Sequence, residues 1–183
     1  MQLTAHCAEW VLEDDGRQLA IGQELAERLV LSVDTGWPWP AETITQLSGV
    51  VSPLPRWRGL TLDHHPLRLD VGGAALYWES PVPVGAGVRT VTGVPVLDTH
   101  RAPDSWPLTR GRITRLRTEH RWYVEDAPGS RSWVPESAEA RYVDVAEVGP
   151  WDPDGSAGGW QGGRHESWTG VLVDVDVWES APG

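Results

Sequence analysis

The chain has 183 residues, with 15 Arg+Lys against 26 Asp+Glu, a formal net charge of −11 and 40% hydrophobic residues. That size and apolar content fit one domain or two small ones and exclude wholesale disorder. The acidic balance argues against a broad nucleic-acid interface or a polybasic membrane-surface binder, so neither nucleic acid nor membrane is an expected partner.

In chain order, Leu3, Ala5 and Cys7 alternate and predict a first strand. Trp10 and Leu12 take the opposite parity, as a strand continuing through a β-bulge would require. Asp15-Gly16 then reads as a hairpin turn before Leu19–Ile21. Gln23–Val30 carries strong helix formers, with Ile21, Leu25 and Leu29 four apart. Against a helix, Leu29, Leu31 and Val33 alternate and Gly22 interrupts the start, so strand is preferred there. Further strands are expected at Leu67–Val71, Ala74–Glu79, Val88–Leu97, Arg112–Val124 and Arg141–Val148. Residues 151–168 hold five Gly and no period, and read as a long loop. The clearest element is last: Val171, Val173, Val175 and Val177 face one way, Asp174 and Asp176 the other. That strand must dock on the main body, because its valines would otherwise lie in water.

A Gly entering a β-branched stretch recurs at Gly49, Gly93, Gly111 and Gly170, which suits sheets that bend sharply into a small barrel. The expected fold is all-β, with coiled antiparallel sheets, barrel-like, and short helical turns at most. Its expected parts are a body over 1–150 (divisible near residue 100), the Gly-rich loop 151–168 and a docking strand within 169–183. No apolar run approaches the ~18–20 residues of a membrane span. The first residues lack a signal-peptide pattern and Cys7 has no partner cysteine, so a cytoplasmic location is expected.

The chain has no Lys, Asn or Phe and 12 Trp, the signature of a very GC-rich gene, so Trp must fill much of the aromatic core. Trp10, Trp78, Trp122 and Trp178 fall within or at the ends of strands and read as core or sheet-face residues. Trp37, Trp39, Trp106, Trp133, Trp151 and Trp160 sit near Pro or Gly, where rigid aromatics suit a sugar, a proline-rich peptide or a partner protein. Plugging of barrel ends is the competing explanation. Residues 101–141 are mildly basic between two acidic flanks. Within them Arg115, Arg117 and Arg121 share one strand face and suit a small anionic ligand, or else pair with Asp174 and Asp176.

His64 and His65 with Asp63, joined by His100 with Asp98, are the best metal candidates. On a strand His64 and His65 point apart, and no HExxH or Cys cluster is present, so neither a metal nor another cofactor is expected. No G-x-S-x-G elbow occurs, and Gly85-Ala86-Gly87 precedes a strand rather than the helix a phosphate cradle needs. No catalytic residue is assigned.

Two places carry a family likeness. One is Glu9-Trp10, Gly16 and Leu19–Leu25; the other is Gly111–Leu116, Tyr142–Val145 and Trp151. There the chain resembles a family of small uncharacterised actinobacterial proteins classed as a domain of unknown function. The resemblance covers under half of the chain and implies a cytoplasmic, mostly β protein without a catalytic residue to carry over. The leading expectation is therefore a non-enzymatic binding or regulatory protein that shows Trp-rich loops to a protein partner, one version being an acidic inhibitor or immunity protein. The alternative is a small-molecule-binding barrel or enzyme using Arg115, Arg117 and His100. A pocket with converging polar groups would favour the alternative.

Overall fold

The computed structural model describes residues 1–33, 36–56, 63–97, 100–150, 160–161 and 163–178. It is all-β, with 59% strand and 6% helix. The elements in chain order are β1 (Gln2–Ala8), α1 (Glu9–Asp14), β2 (Leu19–Ala20), β3 (Glu24–Glu27), β4 (Leu29–Ser32) and a 3-10 turn (Ala41–Thr43). There follow β5 (Thr45–Pro53), β6 (His65–Val71), β7 (Ala74–Ser80), β8 (Gly87–Leu97) and β9 (Thr109–Glu125). The chain ends with β10 (Trp133–Pro135), β11 (Arg141–Val145), β12 (Glu147–Val148), β13 (Trp160–Gln161) and β14 (Arg164–Val177). The segment at 23–30 contains β3 and the start of β4 rather than a helix, as the alternation of Leu29, Leu31 and Val33 indicates.

Five strands close a barrel in the order β4, β8, β5, β6, β7 and back to β4. The length of β8 makes closure possible: Gly87–Gly93 pairs with β5, and Val94–Leu97 with β4. Two pairings, β4 with β7 and β1 with β8, are parallel, where an antiparallel fold was expected. Leu29, Leu31, Leu47, Val51, Leu67 and Leu76 are buried in the main core. Residues of opposite parity, Val30, Ala75 and Tyr77, form a second cluster with Ala102 and Trp106.

Outside the barrel the sheet continues through β1, β14 and β9. Strand β14 lies between the other two, with Val173 paired to Ala5 on one side and Leu116 on the other. Its four valines are at most 3% exposed, each worth roughly 1.5–3 kcal/mol on burial. The docking strand is thus central to this sheet. It also starts earlier than expected: β13 and β14 run through 160–161 and 164–168, so the loop assigned to 151–168 is shorter.

Residues 9–14 correct the sequence reading. The parity change at Trp10 is a turn of helix, α1, which buries Val11 and Leu12 and leaves Trp10 exposed. Adjacent buried residues followed by Glu13, Asp14 and the positive-φ Gly16 suit a short helix better than a bulged strand. The repeated glycines lie inside strands, and close backbone approach explains them. A Cβ on Gly93 would sit 2.6 Å from the Ser32 carbonyl oxygen, and one on Gly111 would sit 2.6 Å from that of Asp176.

Candidate functional site

Strand alternation decides what β1 offers each side. Leu3, Ala5 and Cys7 enter the core, which turns Thr4 and His6 to the other face. On the neighbouring strands the same face carries Asp174 from β14 and Arg117, Glu119, Arg121 and Tyr123 from β9. Burying so many polar groups is costly unless each finds a partner. Most do. Asp174 accepts from Thr4 Oγ1 at 2.6 Å and from Arg117 Nη2 at 3.0 Å. The Arg117 guanidinium lies 5.9 Å from the centre of the Tyr142 ring. Tyr142 in turn donates its hydroxyl to Glu119 Oε2 at 3.1 Å, while Thr169 Oγ1 donates to Oε1 at 2.9 Å.

The Glu119 side chain is only 2% exposed, with His6 Nε2 3.8 Å from Oε2. Burial by itself would raise its carboxyl. His6, the Thr169 hydroxyl and the Arg121 charge together outweigh that and hold it below the ordinary carboxylate range. Glu119 is therefore an ionised group fixed behind the His6 ring.

In front of His6 lies a cleft of about 400 Å3 where the barrel meets the outer sheet. The start of α1 supplies Glu9 and Trp10, and the loop after β4 supplies Trp37 and Trp39. Tyr123 and Thr169 complete the side formed by β9 and β14, and Arg101 stands on the chain that leaves β8. The indole of Trp39 meets His6 edge-on at 5.1 Å, and Trp37 meets Trp39 edge-on at 6.5 Å. Arg121 pins this corner. Its side chain is buried, donates to the carbonyls of Pro38 at 2.8 Å and Ser137 at 2.6 Å, and lies 5.7 Å from the Trp37 ring centre.

Three atoms of residues that line this cleft break the rule that buried polar groups are paired. Among the described residues, neither His6 ring nitrogen nor Trp39 Nε1 has a hydrogen-bond partner, although all three are inaccessible to solvent. Glu9 is unusual in another way: burial pushes its carboxyl up to about 7, with the negative charges of Glu13 and Glu119 adding to the rise and His6 opposing it.

The residues singled out from sequence divide sharply. Trp37 and Trp39 line the cleft, and Arg121 lies behind Trp37 without lining it. Trp106 does not: it is 8% exposed, donates to the Ala75 carbonyl and packs on Tyr77 in the second core cluster, so it fills the protein rather than facing outward. Trp133 packs edge-on against His165 and does not line the cleft. Trp151 lies outside the described residues, as does the side chain of Trp160. Arg115 and Arg117 do not share one ligand, since Arg115 is paired to Asp144 at 2.6 Å and Arg117 to Asp174. Asp176 instead faces the N-terminal amine at 3.7 Å.

The histidine candidates also part company. His64 meets Glu79 at 3.2 Å, His65 begins β6, and His100 stacks on Trp10 at 5.7 Å. No group of three or more His, Cys, Asp or Glu suited to a metal occurs among the described residues. Sequence reasoning missed His6, Glu9, Glu119, Tyr123 and Thr169, and placed Trp10 in the core or on a sheet face, whereas it lies exposed on α1. The signal for His6 was present, as a polar residue alternating with Leu3, Ala5 and Cys7. No family model, curated protein or solved structure matches the chain, so a functional reading rests on this geometry.

Proposed function

We propose that this protein binds a small molecule in the cleft between α1, the Trp37–Trp39 loop and the polar face of β1 and β9. One observation carries the reading: the two rings that bear unpaired buried nitrogens, His6 and Trp39, meet edge-on in the wall of a single aromatic-lined cleft. A buried donor without a partner costs about 1–3 kcal/mol, and a ligand that satisfies it recovers that cost. Enclosure on one side by Trp10, Trp37 and Trp39 supplies the apolar contact such sites generally have. Partner recognition through exposed Trp loops has less support, because Trp106 is internal and Trp39 turns toward His6. The cytoplasm is the proposed setting, since the lone Cys7 is buried and unpaired; no helix among the described residues is long and apolar enough to cross a membrane.

The test is a ligand-observed NMR screen of a fragment library against the wild type, His6→Ala and Trp39→Ala, with each variant first shown to be folded by thermal melting. Fragments whose signal is lost in both variants support the reading. A hit list that both folded variants retain in full would sink it.

A further inference from the structure

Resting on that reading, we infer that the natural ligand of the cleft is a small carboxylic acid with a flat apolar body, held by its carboxylate against His6 and Trp39. The argument is one of hydrogen-bond supply. Trp39 Nε1 can only donate. The Arg121 Nε, behind Trp37, is a further buried donor without a partner among the described residues. His6 can present at least one N–H, and two when protonated. The nearest acceptor, Glu119, holds Thr169 on one oxygen and Tyr142 on the other, and its Oε2 lies 3.8 Å from His6 Nε2, beyond hydrogen-bond reach. Unused donors therefore outnumber unused acceptors, and the missing partner is rich in acceptors. A carboxylate, with two oxygens and about four lone-pair directions, meets several donors at once.

Charge is consistent with this choice. Arg101 lines the cleft and Arg121 stands behind its Trp37 wall, so two permanent cations border the cleft. Facing Glu9 are His6 from β1, Glu13 from its own helix, and Glu119 and Tyr123 from β9. The Glu9 carboxyl sits at about 7 and so gives up its charge readily near neutrality. Once protonated it no longer repels an anion and adds a further donor. The indoles of Trp10, Trp37 and Trp39 then provide flat apolar surface for the ligand's body, where ring-to-ring contacts add to simple burial.

Three probes that share one ring separate the classes: phenylacetate, phenylacetamide and benzylamine, each titrated calorimetrically into the full chain at about pH 6 and pH 8. Phenylacetate is expected to bind at least about tenfold more tightly than benzylamine, the equivalent of one good hydrogen bond to a charged group. Its affinity should fall from pH 6 to pH 8. Trp39→Phe, which keeps the aromatic wall and deletes the N–H, should weaken phenylacetate about tenfold and leave benzylamine unaffected. Glu9→Gln should remove most of the pH dependence while keeping the tighter, low-pH affinity. Benzylamine or the amide binding as tightly as phenylacetate would overturn the carboxylate assignment and leave the cleft reading standing. Failure of all three probes, with fragments of other chemistry still found by the screen, would overturn the assignment in the same way; failure of every fragment would remove both.

Discussion

Replacing Glu9 by Gln turns the cleft's electrostatics into a stability measurement. In the folded protein burial carries the Glu9 carboxyl from 4.5 to about 7. Between those values the native state holds a proton that the unfolded chain has released, so stability declines as pH rises. The contribution is whole below about 4.5 and is lost as pH climbs through about 7. At about 1.4 kcal/mol per tenfold, the full penalty at alkaline pH is roughly 3 kcal/mol. Glu9 is only partly buried and the cleft opens to water on one side, so solvent screening brings the expected figure to about 1–3 kcal/mol. Gln keeps the shape and carries no charge at any pH. Urea unfolding of both proteins at several pH values between about 4.5 and 8.5 reads the difference. Relative to wild type, Glu9→Gln should gain about 1–3 kcal/mol across that range, with most of the gain between about pH 4.5 and 7.5. A difference that stays flat with pH would refute the burial argument, and so would a gain at the acid end.

Other consequences follow from contacts around the same sheet. Gly170→Ala would set a Cβ 2.5 Å from the Cys7 carbonyl oxygen and 2.8 Å from His6 Nε2, so it should cost about 1–3 kcal/mol in thermal or urea unfolding and displace the His6 ring. Asp174→Asn removes the charge that Thr4 and Arg117 share in a buried setting and should cost about 2–4 kcal/mol, whereas Asp176→Asn, at an exposed position facing the N-terminal amine, should change stability by less than about 0.5 kcal/mol. Truncation before Gly170 deletes the strand between β1 and β9 and should give a chain that shows no cooperative unfolding transition.

The parts of the fold that were legible are those with a clean two-residue period. The alternating valines of β14 identified both the strand and its need to dock, and the structure places it at the centre of the outer sheet. Leu29 and Leu31 likewise outvoted local helix propensity, because β4 is buried on both faces and tertiary pairing decides such a segment. Residues 9–14 failed for the converse reason. A six-residue helix shows too little of the 3.6 period to distinguish it from a parity shift in a strand. The glycines were noticed, but their role was not: bending at a strand entry and close approach inside a strand leave the same sequence trace.

The site was harder to see because it is assembled by pairings far apart in sequence. His6, Trp39, Glu119 and Thr169 meet only once β14 lies between β1 and β9. Period alone turns His6 out of the main core, but nothing local shows that a second covering, from the Trp37–Trp39 loop, buries that face as well. Arg121 was recognised as sharing a face with Arg117. Its function as a clamp on the Pro38 and Ser137 carbonyls depends on two loops whose positions no local pattern encodes. The Trp residues illustrate the same limit, since Trp37 and Trp106 both stand beside Pro or Gly, yet one is 44% exposed and the other 8%.

The most direct test is the Trp39 indole N–H itself. In a 15N-labelled protein each Trp side chain gives a resolved N–H cross-peak, and that of Trp39 can be assigned through its loss in Trp39→Phe. On titration with the tightest-binding fragment of the screen, the Trp39 peak should move downfield and saturate, as its N–H gains an acceptor. The Trp106 peak is an internal control, because its N–H already bonds to the Ala75 carbonyl and should stay in place. A Trp39 peak that remains fixed while the fragment binds would show that the cleft beside His6 is not where this protein holds its ligand.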